Sequence, residues 1–408
     1  MKTWLEIPAE SDFSIYNLPF GIFSKGKNAP RVGVRVGNYV IDLEQSRKAG
    51  LLDIPRNICN QPYLNAFIGL GKKKTNAVRL QLQEWLIQDN SPLQRHFNKV
   101  FYKIEEVYIH LPLRVGDYTD FYSSLEHATN VGKMFRPDNP LVANWKHIPI
   151  AYHGRASSIV VSGTNIIRPK GQIKLPDTAS PLFSATREMD FEVEIGTIIG
   201  RPSDLGHNIT TAQADEYVFG FVLFNDWSAR DIQRWEYQPL GPFLGKNFAS
   251  SISAWVVTLE ALEPFRTETP EQSPVPLPYL QFEGKRNFDI NLDVYLRPQS
   301  GDNYCISRTN SKYLYWNTAQ QIAHHTINGC NLKVGDILAS GTISGPTTGS
   351  CGCMLELTTG GKQPLQLNND TVRAFLEDGD TLSIEGYAEK DGIRVGFGEV
   401  SGMIVATN

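Results

Sequence analysis

Cysteine is scarce in this 408-residue chain. The five residues do not form the regularly spaced, even-numbered set of a secreted disulfide framework. The compartment therefore reads as reducing, and a cytoplasmic location is expected. Long apolar runs are also missing; stretches such as FGFVLF at 219–224 are far too short to span a bilayer. The amino-terminal MKTWLEIPAESDF has no continuous apolar stretch of the signal-peptide kind, so no membrane partner is expected. Neither sign of charge dominates: 39 Lys and Arg against 43 Asp and Glu leave a net charge of −4. That balance carries no electrostatic footprint for nucleic acid, and the Lys-rich GKKKT at 71–75 reads as the solvated approach to a helix. Cys351 and Cys353 form a C-x-C pair with no second pair to complete a zinc site, so packing or a surface turn is the simpler expectation. No internal repeat or low-complexity tract is present.

What the sequence does have is ordinary globular composition, 41% hydrophobic and 20% charged, over a length sufficient for two domains. In the first part, GIFS and RVGVRVGNYVIDL read as short strands, with Gly37-Asn38 placed to turn a hairpin. Thr75 is expected to cap a helix whose apolar face is Val78, Leu82, Trp85 and Leu86. A boundary near LPLRVGD, 111–117, separates residues 1–115 from a larger region, 116–408. There, strand signals such as DFEVEIGTIIG, YVFGFVLFND, FDINLDVYLR and IRVGFGEVSGMIV alternate with Gly and Pro turns. SARDIQRWEY and YWNTAQQIAHHT are the two helices expected among them. The fold class is mainly β (α+β).

Several stretches could carry chemistry. DYTDFYSSLEHATNVGKMFR, 117–136, is neither a clean strand nor an amphipathic helix; it is a polar loop or a convergence of side chains. In REMDFEVEIG, alternation puts Asp190, Glu192 and Glu194 on one strand face, either solvated or gathered on a cation. FGFVLFND ends a buried strand at Asp226, and Ser228 is placed to cap the next helix. That helix carries Arg230, Gln233 and Tyr237 on one side, a set suited to a small anionic ligand. Lys246 follows on the turn-rich PLGPFLGK loop. LASGTISGP, 338–346, offers Thr342 and backbone N–H groups, although a tight hairpin turn is the commoner meaning. CMLELT looks like a strand bearing Glu356. His324 and His325 are adjacent on a helix and cannot face one point, so packing is the expected role.

DYTDFYSS-x-x-HATNVG-x-MFR, YHGRASS, NDWSARDIQ-x-WEY-x-PLGPFLGK, HH-x-x-NGCNL and LASGTISGP together closely resemble the fumarylacetoacetase family over nearly the whole chain. The resemblance implies a small amino-terminal β-barrel-like domain and a carboxy-terminal mixed β-sandwich roll, assembled as a homodimer. It implies metal-dependent hydrolysis of the carbon–carbon bond of a small β-diketo acid, 4-fumarylacetoacetate, to fumarate and acetoacetate, the last step of tyrosine and phenylalanine breakdown. Carried over by motif, Asp120, Glu192, Glu194 and Asp226 are the expected Ca²⁺ ligands. His127 is the expected base and Glu356 its partner. Arg230, Gln233 and Lys246 would stabilise developing negative charge, and Tyr122, Arg136, Tyr152, Gln233, Tyr237 and Thr342 would touch substrate. Lys246 and Ser250 would belong to a second, Mg²⁺ site.

Two departures weaken parts of this transfer. Ala249 and Ser250 stand where the family usually has glycine and threonine, and TTGSCGC before Glu356 differs from the usual sequence. The competing readings are a related metal-dependent acylpyruvate or 2-oxo acid hydrolase or decarboxylase, and a non-catalytic metal-stabilised binding protein. The first shares the acidic cluster; the second predicts loss of His127 or Glu356, and both are present.

Overall fold

The computed structural model describes residues 2–407, apart from the side chain of Phe135. The chain opens with an antiparallel meander, β1 (Phe20–Ser24), β2 (Arg31–Val36) and β3 (Tyr39–Asp42). Gly37 turns the β2–β3 hairpin at φ +49°, where a side chain would be strained, and Val36 faces Tyr39 across it. Helix α1 (Lys72–Ile87) follows. It starts at Gly71, so Thr75 is not its cap; the Thr75 hydroxyl instead donates back to the carbonyls of Gly71 and Lys72 within the first turn. The expected face is nevertheless the buried one, with Val78, Leu82 and Leu86 inside and Trp85 half-buried against them.

The principal elements that follow are β4 (Tyr118–Phe121), α2 (Leu125–Phe135), β5 (Ala151–His153), β6 (Val193–Ile199), β7 (Val218–Asp226) and α3 (Arg230–Glu236). Next come β8 (Ser250–Ile252), β9 (Trp255–Thr258), β10 (Asn291–Arg297), β11 (Tyr304–Asn310), α4 (Thr318–Thr326), β12 (Ile337–Ala339), α5 (Met354–Leu357), β13 (Thr381–Lys390) and β14 (Ile393–Val405). One large sheet runs β3-β2-β1-β9-β7-β6-β12-β4-β5. Because β1 pairs with β9, Phe20 opposite Val256, the amino-terminal strands are hydrogen-bonded into the same sheet as the rest. A second sheet has the order β11-β10-β13-β14. The molecule is mainly β with few helices.

Strands β6 and β7 are buried at every position, which is why their sequences are almost continuously apolar. Their two faces serve two cores. Val222 and Phe224 pack with Phe20, Phe67 and Leu82, whereas Phe221 and Leu223 pack with Leu292, Ile384 and Val400 of the second sheet. By contrast, β10 has the alternating burial expected of a strand with one wet face.

Two further local expectations fail. Ser228 does not cap α3. It lies on a two-residue strand paired with Met189–Asp190, and its hydroxyl turns towards Glu192 and the Asp226 carbonyl. CMLELT is not a strand: α5 is a single helical turn and Glu356 is buried. The N–H groups of Met354 and Leu355 donate to the carboxylate of Asp190, 2.7 and 3.0 Å away, so the start of this turn is satisfied from far off in the sequence. Helix α4 lies where YWNTAQQIAHHT was expected to be helical, and Asn317 and Gln320 form a reciprocal capping box at its start. No helix among the described residues is long and apolar enough to cross a membrane.

Candidate active site

Strand pairing brings the acidic residues together. β12 lies between β6, with Ala339 opposite Gly196, and β4, with Ala339 opposite Asp120. β6 in turn pairs with β7, Glu194 opposite Phe224. Neighbouring strand ends therefore carry Asp120, Glu194 and Asp226, and Glu192 joins them from just before β6. One ligand oxygen from each of these four lies within 4.8 Å of the others, and all four side chains are buried. Asp190 does not share their face. The strand breaks at Phe191-Glu192, and Asp190 turns to Arg230 Nε at 2.8 Å and to the start of α5.

Two buried cations border the cluster. Lys246 Nζ lies 2.6 Å from Glu192 and 3.0 Å from Asp226, and Arg230 Nη1 lies 2.7 Å from Glu192. Burial alone would lower the Lys246 ammonium, but the charges of Asp226 and Glu192 raise it above its ordinary value. Glu192 responds in the opposite direction: burial favours its neutral form, but Lys246 and Arg230 hold it below the usual range. Asp120 and Glu194 are pushed well up, first by burial and then by neighbouring carboxylates. Asp226 also accepts from Tyr152 Oη at 2.8 Å and from Ser250 Oγ at 2.7 Å. Asp120 Oδ1 and Glu194 Oε1 remain buried acceptors without a partner. Four buried carboxylates, two of them with an orphaned oxygen, are a donor set suited to a hard divalent cation.

Opposite the cluster, Ser124 caps α2 by accepting from the His127 N–H, which fixes His127 in the first turn. His127 Nδ1 lies 2.6 Å from Glu356 Oε2, which leaves Nε2 as the nitrogen for a reacting group. Asn130 and Ser344 donate to Glu356 at 2.9 and 2.7 Å, and the Cys353 thiol does so at 3.2 Å. Burial would raise the Glu356 carboxyl, but the His127 charge and these hydrogen bonds take it down to about 2. Burial and the charge of Glu356 hold the Cys353 thiol well above its ordinary value, so it acts as a donor.

A cavity of about 660 Å³ opens beside both groups. Asp120, Tyr122, His127, Arg136, Tyr152, Glu192, Arg230, Gln233, Tyr237, Lys246 and Thr342 line it. Glu194, Asp226 and Glu356 stand behind the lining, and Ser250 reaches the site only through Asp226. LASGTISGP is not a hairpin turn. Gly341, at φ +76°, leads a segment without regular structure and donates its N–H to Glu194 Oε2 at 3.0 Å.

Two family models cover almost the whole chain. Residues 16–112 match the fumarylacetoacetase N-terminal model, and residues 117–405 match the fumarylacetoacetate (FAA) hydrolase C-terminal model. The chain belongs to the fumarylacetoacetase family. The Arabidopsis thaliana fumarylacetoacetase is 47% identical over 99% of this chain and 98% of its own. The Homo sapiens fumarylacetoacetase is 46% identical with the same two coverages. Among solved structures, the fumarylacetoacetate hydrolase of Exiguobacterium antarcticum superposes with a TM-score of 0.55 at 18% identity. The alignment covers 96% of this chain and 100% of that one. A maleylpyruvate hydrolase from Sphingobium gives 0.51 at 14%, with the same coverage. These structural likenesses show the shared fold.

Within this fumarylacetoacetase architecture, the residues singled out by motif surround one cavity, while His324 and His325 stay outside it. His324 pairs with Tyr279 and His325 with Thr119. Sequence reasoning missed Asn130, Ser344 and Cys353, the donors around Glu356, although all three lie within or beside quoted motifs. It also missed the apolar wall formed by Val131, Val142, Ile150, Leu240 and Leu355, for which no periodic signal exists.

Proposed function

We propose that this chain hydrolyses 4-fumarylacetoacetate to fumarate and acetoacetate, closing tyrosine and phenylalanine breakdown. One observation carries the reading: His127, held by Glu356, opens onto the same cavity as the four-carboxylate cluster and the buried cations Arg230 and Lys246. The carboxylates suit Ca²⁺, and a bound divalent ion would supply Lewis-acid polarisation of the diketone. Lys246 and Ser250 meet Asp226 only as hydrogen-bond donors. An ammonium has no lone pair to give, so Mg²⁺ as a substitute in the four-carboxylate cluster is a simpler reading than a second site.

The chain's own residues account for the steps. His127 Nε2 accepts a proton from a water whose oxygen adds to the carbonyl carbon beside the fumaroyl double bond. Arg230, Gln233 and Lys246 supply donors to the carbonyl oxygen as it gains charge, each critical donor being worth about 3 kcal/mol. Arg230 Nη2 and the Thr342 hydroxyl support this, being buried without a partner while their residues line the cavity. As the carbonyl re-forms, the bond to the adjoining methylene breaks. Its electron pair leaves with the acetoacetate half, spread onto that half's ketone oxygen, and the methylene carbon takes a proton to become a methyl group. The carbonyl half departs as the second carboxylate of fumarate. Arg136, Tyr122, Tyr152 and Tyr237 provide the cation and hydroxyls for the substrate's terminal carboxylates and ketone oxygens.

The same reading includes a homodimer in the cytoplasm, with residues 1–115 and 116–408 as its two domains. Proton NMR of the reaction tests the substrate: fumarate and acetoacetate are expected in equal amounts. Turnover of acylpyruvates with fumarylacetoacetate left intact would overturn the reading.

A further inference from the structure

Asp190 stands in the same acidic run as Glu192 and Glu194, yet it takes no part in their cluster. It is fully buried, and both oxygens are saturated. Oδ1 accepts from the N–H groups of Phe191 at 2.8 Å and Met354 at 2.7 Å. Oδ2 accepts from Arg230 Nε at 2.8 Å and the Leu355 N–H at 3.0 Å. One carboxylate thus ties the guanidinium to the helical turn that carries Glu356.

The consequence for Arg230 is geometric. With Nε fixed on Asp190 and Nη1 on Glu192, the planar guanidinium has one orientation, and Nη2 is left as its buried, unpartnered donor. Without Asp190, Glu192 would be its only carboxylate partner, and the fork could swing towards it. The consequence for Glu356 lies at the other end: α5 is only four residues long and has no side-chain cap of its own, so its start is held by Asp190.

We propose that Asp190 is a positioning residue that sets Arg230 and the Glu356–His127 pair in register with each other. It touches neither substrate nor metal; it acts through both partners at once. This rests on the roles given to Arg230 and Glu356 above, and turnover by the wild-type protein in the same assay separates failure of those roles from failure of this one.

Asp190→Asn keeps the shape but puts an NH₂ group against the N–H donors at one end. The expected result is a kcat at least about 100-fold lower, with KM and calorimetric Ca²⁺ affinity each within about threefold of wild type. Asp190→Ser leaves space for a small anion, and added formate should recover part of its lost kcat. The comparison variant is Asp42→Asn, since Asp42 is equally buried and likewise holds an arginine and a helix start, far from the cavity. It should lower the melting temperature and leave kcat within twofold. A kcat for Asp190→Asn within threefold of wild type overturns the proposal, as does Ca²⁺ affinity falling in step with kcat. Failure of both Asp190 variants to fold would also overturn it, by making Asp190 a stability residue alone.

Discussion

In the proposed reaction His127 is the base and Glu356, 2.6 Å from its Nδ1, the group that orients it. Removing the imidazole in His127→Ala should lower kcat by about 10²- to 10⁴-fold, the usual worth of a positioned base. Calcium affinity should hardly change, because His127 is outside the carboxylate cluster; a matching loss of affinity by calorimetry would contradict the assignment. Glu356 adds a pH signature. Its carboxyl is held at about 2 in the fold against an ordinary 4.5. A depressed carboxyl stabilises the fold fully above the unfolded value, and that stability is lost as pH falls towards the folded one. The difference amounts to about 3 kcal/mol. Urea unfolding should therefore show Glu356→Gln less stable than wild type by about that much at pH 7, with the gap narrowing by pH 3.5. An unchanged gap would mean that ionisation of the Glu356 carboxyl adds nothing to stability. Most of these residues were legible in the sequence because long motifs held them: Asp120 and His127 share one run. Asp190 was legible only as an acid. Its partners lie on α3 and α5, and alternation along a strand assumed to be unbroken put it on the wrong face.

Strand ends and short turns decide how sharply the cluster is drawn. Gly341 shows this most directly. A Cβ there would meet the Phe121 carbonyl oxygen at 1.9 Å, and the residue sits at φ +76°. Gly341→Ala must therefore push β4, which carries Asp120, away from the N–H that serves Glu194. The expected effect is at least a tenfold loss of calcium affinity together with a lower melting temperature; unchanged calorimetric affinity would sink the idea. The long buried strands β6 and β7 were readable, because continuous apolar runs are a local signal; α4 was legible as a helix, but its Asn317–Gln320 cap was not singled out. Helix α5 was not legible, since the carboxylate that satisfies its first N–H groups lies on a distant segment. Ser228 misled for a related reason: the chain makes a short strand before α3, and Glu192 draws off its hydroxyl.

At the scale of the whole molecule, one sheet joins the amino-terminal strands to those that end at the acidic cluster, a continuity that no composition shift near residue 115 announces. Burial and mutual repulsion raise Asp120 and Glu194. A raised carboxyl contributes fully to stability only below its unfolded value and loses that contribution as pH climbs towards the folded one, so metal-free protein is penalised at neutral pH. A bound divalent ion removes the penalty. Added Ca²⁺ should raise the melting temperature, and by more at pH 7.5 than at pH 5.5; an equal shift at both would place the binding elsewhere. The measurement that bears on the whole reading follows fumarylacetoacetate by its ultraviolet absorbance, using chelated protein before and after Ca²⁺ or Mg²⁺ is restored. Loss of absorbance that stops on chelation and returns with metal is the predicted result. Substrate that stays intact with every metal added would contradict it.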